Sequence, residues 1–205
     1  MARIDDYQAA KELAVKKLST RHFTELLQTS GFKASDDKGF IIDFLDRVYQ
    51  VSSPGFEFKD KLDESKPVPI QEQVLILHYM LPEQIPGPSR QWIAYREIPG
   101  ASFYYSAFVK RAIEPLKKVF GQNISGLKSA AKRMNAKAVE PGDAGFEFQI
   151  FPKVPLQLIL WAGDDEFPPE ANILFDESIG DILSPEDDAW LAGMLVYRLI
   201  SISQI

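Results

Sequence analysis

Gly145-Phe146-Glu147-Phe148-Gln149-Ile150-Phe151-Pro152-Lys153-Val154-Pro155-Leu156-Gln157-Leu158-Ile159-Leu160-Trp161 decides the fold class. Phe146, Phe148 and Ile150 alternate with Glu147 and Gln149, the period-two pattern of a strand with one buried face. Leu156 to Trp161 is apolar on both faces apart from Gln157, as a central strand is. Pro152 and Pro155 bracket the connection, and the pair reads as an antiparallel hairpin. Pro141-Gly142-Asp143-Ala144-Gly145 breaks the chain ahead of it.

An earlier stretch echoes this hairpin. Gly39-Phe40 opens a strand in which Phe40, Ile42 and Phe44 share a face, and a turn near Asp46-Arg47 reverses the chain into Val48 to Val51. The polar turn Ser35-Asp36-Asp37-Lys38-Gly39 precedes it, and Ser52-Ser53-Pro54-Gly55 follows. Hairpins in general share this look, so the echo alone does not require one pseudo-symmetric sheet.

Helical patterns fill most of the rest. Asp5 or Asp6 is placed to cap a helix from Tyr7 to Leu18, and Phe23, Leu26 and Leu27 predict a short helix ended by Gly31. Lys59 to Lys66 reads as a charged loop. Ile70 to Leu81 is apolar nearly all round, the mark of a helix inside a core. Pro82 to Arg90, with three prolines and a glycine, reads as an irregular loop. Trp92 to Ile98 is a strand or a corner. Ser102 predicts a helix from Phe103 to Phe120 with a kink or a break near Ile113, because Pro115 lies inside it. Asn123 caps a helix from Ile124 to Met134. Ser184-Pro185-Glu186-Asp187 is a strong helix start: a serine cap, proline in the first position and acids in the first turn. Hairpins mixed with helices, without βαβ units, predict an α+β fold. We expect one domain over residues 1–205, with a weak subdivision near 85–92.

The 205-residue chain carries no cysteine, which removes disulfides, thiolate metal sites, cysteine nucleophiles and self-ligated iron–sulfur clusters. A net charge of −6 argues against nucleic acid as a main partner. No run approaches the roughly 18 apolar residues of a membrane span, and the N-terminal residues lack a signal core. The expected location is the cytoplasm.

No glycine-rich phosphate loop and no GxSxG elbow is present. His22 and His78 are the only histidines, so no metal site is assigned and no residue is assigned a catalytic role. Two segments remain as candidate ligand-binding residues. The first is Trp161 with Asp164, Asp165, Glu166 and Phe167. Oxygen ligands at a strand end suit a hard cation, and a carboxylate beside aromatic rings suits acid–base work, with Asp176 as a further acid. The plainer reading is an exposed turn of Asp164 and Asp165 after Gly163, with Glu166 in an ion pair or capping a nearby backbone group. The second segment holds Trp92 and Arg96, followed by Tyr104 and Tyr105. Arg96 either clamps a carboxylate or phosphate or pairs with an acid of the 164–166 cluster.

Trp92…Tyr95-Arg96-Glu97-Ile98-Pro99-Gly100, Phe151-Pro152…Pro155-Leu156…Trp161, Gly163-Asp164-Asp165-Glu166-Phe167-Pro168-Pro169…Leu174-Phe175-Asp176 and Glu186-Asp187 together resemble a prokaryotic family, domain of unknown function 3786. The family is similar to proteins of anaerobic bacteria and archaea. Some relatives carry a cysteine-rich iron–sulfur segment ahead of the domain, of the type seen in corrinoid iron–sulfur proteins. This chain lacks that segment, so cluster chemistry would need a partner.

The resemblance brings no activity and no assigned site residues, but the absence of a catalytic signature, the aromatic-rich segment from Trp92 to Phe108 and the relatives' iron–sulfur neighbours together suit a non-catalytic ligand-binding or accessory module of anaerobic metabolism. A corrinoid or another tetrapyrrole is the first ligand to try, and an iron–sulfur or corrinoid protein the first partner. The residues alone also suit an acid–base or divalent-metal-assisted hydrolase built on Asp164, Asp165 and Glu166, or a structural subunit of a complex.

Overall fold

The computed structural model describes residues 4–35 and 38–204, and the chain divides into two compact units between Pro86 and Gly87. The fold class is α+β, with a four-stranded and a five-stranded antiparallel sheet among helices.

In the first unit, helix α1 (Ile4–Leu18) takes Asp5 and Asp6 into its first turn. The helix therefore begins earlier than expected, and the two acids meet its positive end rather than capping it from outside. Helix α2 (Phe23–Ser30) ends where Gly31 turns left-handed at φ 74°. Strands β1 (Lys33–Ser35), β2 (Gly39–Phe44), β3 (Arg47–Ser52) and β4 (Phe58–Asp60) form the four-stranded sheet in chain order. Asp36 and Asp37 of the expected turn lie outside the described residues. Phe40, Ile42 and Phe44 are fully buried, each stabilising the unit by about 2 kcal/mol on removal from water. Strand β4 corrects the expected loop at Lys59: Tyr49 pairs with Asp60, and Arg47 meets the Asp60 carboxylate at 3.2 Å. Helix α3 (Ile70–Met80) is the apolar helix, held through Tyr79 Oη donating to Ser30 O and Tyr49 Oη donating to Glu72, both at 2.6 Å.

In the second unit, β5 (Trp92–Ala94), β6 (Lys137–Val139), β7 (Ala144–Phe151), β8 (Val154–Trp161) and β9 (Glu170–Asp176) form a sheet of order β5-β9-β8-β7-β6. The decisive hairpin is β7–β8, and β8 is central, with residues 154–160 all buried. It belongs to a different sheet from β2–β3, so the two similar hairpins do not share one. Strands β6 and β9 were not expected, because Lys137–Val139 is short and β9 follows two prolines without clean alternation.

The helical stretch at 103–120 carries the expected interruption near Ile113. A 3₁₀ turn (Ala101–Phe103) leads into α4 (Tyr105–Phe108), a π-helical turn (Val109–Ile113) and α5 (Glu114–Phe120). Pro115 explains this: it lacks the N–H that an unbroken helix needs, and a wider turn relieves its clash with the backbone one turn earlier. Helix α6 (Ile124–Arg133) is capped by Asn123, which accepts from the Gly126 amide at 3.0 Å. Helix α7 (Pro185–Ser203) starts as its sequence demands, with Ser184 Oγ accepting from the Asp187 amide at 3.2 Å.

Candidate functional site

Strand β5 ends at Ala94 because the chain there turns into a 3₁₀ helix, Tyr95–Glu97. Glu97 reaches back and accepts from the Ala94 amide at 2.6 Å. Tyr95 points inward, stacks on Phe108 with centroids 4.3 Å apart, and donates from its hydroxyl to Pro185 O at 2.6 Å. Burial, with Asp188 nearby, pushes the Tyr95 hydroxyl upward, so it stays a donor. This anchored turn projects Arg96 away from the core.

A cleft of about 560 Å³ opens beside it, within the second unit. Ala94, Tyr95 and Arg96 form one side. Tyr105 and Phe108 of α4, with Val109 and Ile113 of the π turn, form the helical wall. Trp161 at the end of β8 and Glu170, Ala171 and Asn172 of β9 close it. Trp161 is 42% exposed, unusual for so large an apolar ring at the end of a buried strand.

The polar groups of the cleft favour an acceptor-rich ligand. The Arg96 guanidinium lies over the Tyr105 ring, 3.7 Å from its centroid. Stacking uses the guanidinium face and leaves its in-plane N–H donors free. Among the described residues Arg96 has no carboxylate partner. The expected pairing with the 164–166 acids is therefore not formed. The Asn172 side-chain carboxamide and the Tyr105 hydroxyl also make no hydrogen bond to the described residues. Glu170, the only acid among the described residues that line the cleft, is engaged by Lys117 at 3.3 Å.

The acidic loop is a rigid turn next to the cleft. Asp164 Oδ1 accepts from the Glu166 and Phe167 amides at 2.9 and 2.7 Å, and the Asp164 amide donates to Phe167 O at 2.9 Å. The Phe167 and then the Glu166 amide hold the Asp164 carboxyl below its usual range. Gly163 ties the turn to the α5–α6 junction: its amide donates to Gly121 O at 3.1 Å, and Gln122 Nε2 donates to its carbonyl at 2.9 Å. Asp165, Glu166 and Phe167 project into solvent, and neither they nor Asp164 line the cleft. No group of three or more His, Cys, Asp or Glu side chains placed to hold a metal occurs among the described residues.

Asp176 does not join these acids. Trp161 pairs with Glu170 at one end of β9, while Asp176 pairs with Trp92 at the other, about 20 Å along the strand. It is a structural hub: its carboxylate accepts from the Ser89, Arg90 and Ser178 amides and from both serine hydroxyls, at 2.7–3.1 Å. Trp92 is half-buried beside it and away from the cleft. Of the seven candidate ligand-binding residues, Arg96 and Trp161 come together in one cleft. Glu170, Ala171 and Asn172 were missed because strand β9 was missed; the unbroken run from Ile173 to Phe175 was its one visible signal.

A second buried acid was also missed. Asp188 of α7 is fully buried, and neither of its carboxyl oxygens has a hydrogen-bond partner among the described residues. Burial, and then the charge of Asp187, raise its pKa well above the ordinary value.

Fold and cleft define an α+β protein with a donor-lined groove at the end of an antiparallel sheet. The chain belongs to the family described as Domain of unknown function (DUF3786), which it matches over residues 22–198. No curated protein and no solved structure matches it. No helix of the described residues is long and apolar enough to cross a membrane.

Proposed function

We propose that this protein is a non-catalytic ligand-binding or accessory module of the cytoplasm, and that its cleft takes a carboxylate-bearing ligand. The observation that carries this reading is the state of Arg96: stacked on Tyr105, facing the same cleft as Trp161, with its donors unused by the described residues. A guanidinium so placed reads a carboxylate in two-pronged fashion, while the exposed indole offers an apolar face.

The family resemblance makes a corrinoid or tetrapyrrole of anaerobic metabolism the first small-molecule carrier of that carboxylate. Its ring would lie against Trp161 and its side-chain carboxylate on Arg96. Both histidines precede residue 87 and the chain has no cysteine, so the second unit has neither residue to ligate a central metal. Recognition would be of the ring and its acid. A protein partner presenting an acidic side chain is the other source of the same chemistry.

The test is titration with benzoate, benzamide, haem, metal-free protoporphyrin and cobalamin, followed by absorbance and by amide shifts of cleft residues. Saturable binding of benzoate but not benzamide, lost in Arg96→Gln, supports the reading. Equal affinity for haem and protoporphyrin supports the tetrapyrrole version, and no response to either or to cobalamin removes it. No saturable response to any probe sinks the whole proposal.

A further inference from the structure

The sheet edge inside the cleft is unpaired. Strand β5 pairs only with Leu174, Phe175 and Asp176, so from Glu170 to Asn172 strand β9 has no paired strand on that side among the described residues. Three consecutive residues of β9 line the cleft, although successive side chains point to opposite faces of a sheet. A cleft that touches all three therefore runs along the strand's edge rather than over one face.

The direction of the main-chain groups follows from two bonds. Leu160 O accepts from the Asp143 amide at 2.9 Å, on the far side of β8 from β9. Ala171, paired with Leu160, therefore turns its N–H and C=O away from β8. At the other end, the Glu177 amide donates to Gln91 O at 2.9 Å, and counting back in steps of two from 177 again points Ala171 toward the open side. Ala171 makes no hydrogen bond on that side to the described residues. It is a half-buried main-chain donor and acceptor facing the cleft.

We propose that the occupant of this cleft is an extended acidic segment of a partner protein, added as a short strand to the open edge of β9. This deepens, and rests on, the reading of the cleft as a carboxylate site. Main-chain bonds to Ala171 would supply affinity largely independent of sequence, as in strand addition generally. Arg96 would pair with an acidic side chain or a C-terminal carboxylate, which matches donors unused by the described residues and the lack of any unpaired acid among those that line the cleft. A strand laid against residues 170–173 needs four residues, about 13 Å.

The experiment uses the full chain, labelled for NMR, with the acetylated tetrapeptide Val-Thr-Val-Asp as probe. Three controls accompany it: its Asn-amide analogue, a version N-methylated along its backbone, and benzoate. Strand addition predicts a saturable shift of the Ala171 amide, slowed hydrogen exchange there, and binding weakened about tenfold or more by N-methylation, by Asn-amide replacement or in Arg96→Gln. If the N-methylated peptide binds equally and the Ala171 amide does not respond, strand addition is overturned while the carboxylate site stands. If benzoate binds and the acidic peptide does not, the inference fails in the same way. If neither binds at millimolar concentration, both fall together.

Discussion

Arg96 rests on the ring of Tyr105, 3.7 Å from its centroid, and donates no hydrogen bond to the described residues. The ring positions the guanidinium over the cleft without consuming the donors that a ligand would use. Tyr105→Leu keeps an apolar wall but removes the π face. A cation–π contact at an exposed site is worth about 0.5–1 kcal/mol, so benzoate affinity should fall about threefold, with little change in stability. Calorimetric titration of the variant checks this, and an unaltered Kd would show that the stack does not position Arg96.

Asp188 should make the fold less stable as pH rises. Its folded pKa is raised above the ordinary 3.8, so between those two values the native state holds a proton that the unfolded chain releases. This contribution is fully present below pH 3.8 and is lost as pH climbs toward the folded value. The slope is about −1.4 kcal/mol per pH unit across that window. Asp188→Asn removes the titration. Urea melts from pH 4 upward should show the difference between variant and parent growing in the variant's favour, then levelling off. A constant difference would mean that Asp188 is not protonated in the fold.

Asp176 acts in the opposite sense. Burial opposes its charge, but hydrogen bonds from Ser178, Ser89 and Arg90 outweigh that penalty and hold its pKa below 3.8. Its contribution is present above 3.8 and drains away as pH falls through the lowered value. Asp176→Ala strands several amides that it now satisfies and should cost about 3 kcal/mol. Chemical denaturation at pH 7 measures it; a loss below about 1 kcal/mol would deny Asp176 its place as the pin between residues 89–91 and the end of β9.

Gly163 is where the acidic turn meets the α5–α6 junction. A Cβ there would stand 2.7 Å from Pro169 Cδ and 2.8 Å from Pro169 N, closer than packed atoms come. Gly163→Ala should destabilise the protein by about 2 kcal/mol and raise hydrogen exchange at the Asp164 amide. Wild-type exchange in the alanine variant would argue that the turn is not held through Gly163.

The sequence by itself determined the elements whose cause is local. Alternation at Phe40, Ile42 and Phe44 and at Phe146, Phe148 and Ile150 marks buried strand faces. Pro115 breaks its helix and Ser184 begins the last one, because caps and missing donors act within a turn of the chain. The tertiary structure decided what depends on distant neighbours. Strand β9 carries little periodicity and owes its form to pairing with β8 and β5. Whether Arg96 meets an acid or an aromatic ring depends on where α4 packs. Asp188 stands one position past two helix-start acids and resembles them in sequence, yet the packing around α7 buries it completely and raises its pKa well above the ordinary value. The edge at Ala171 is open because β5 turns away at Tyr95, and no local pattern in either segment records which strand the other will leave uncovered.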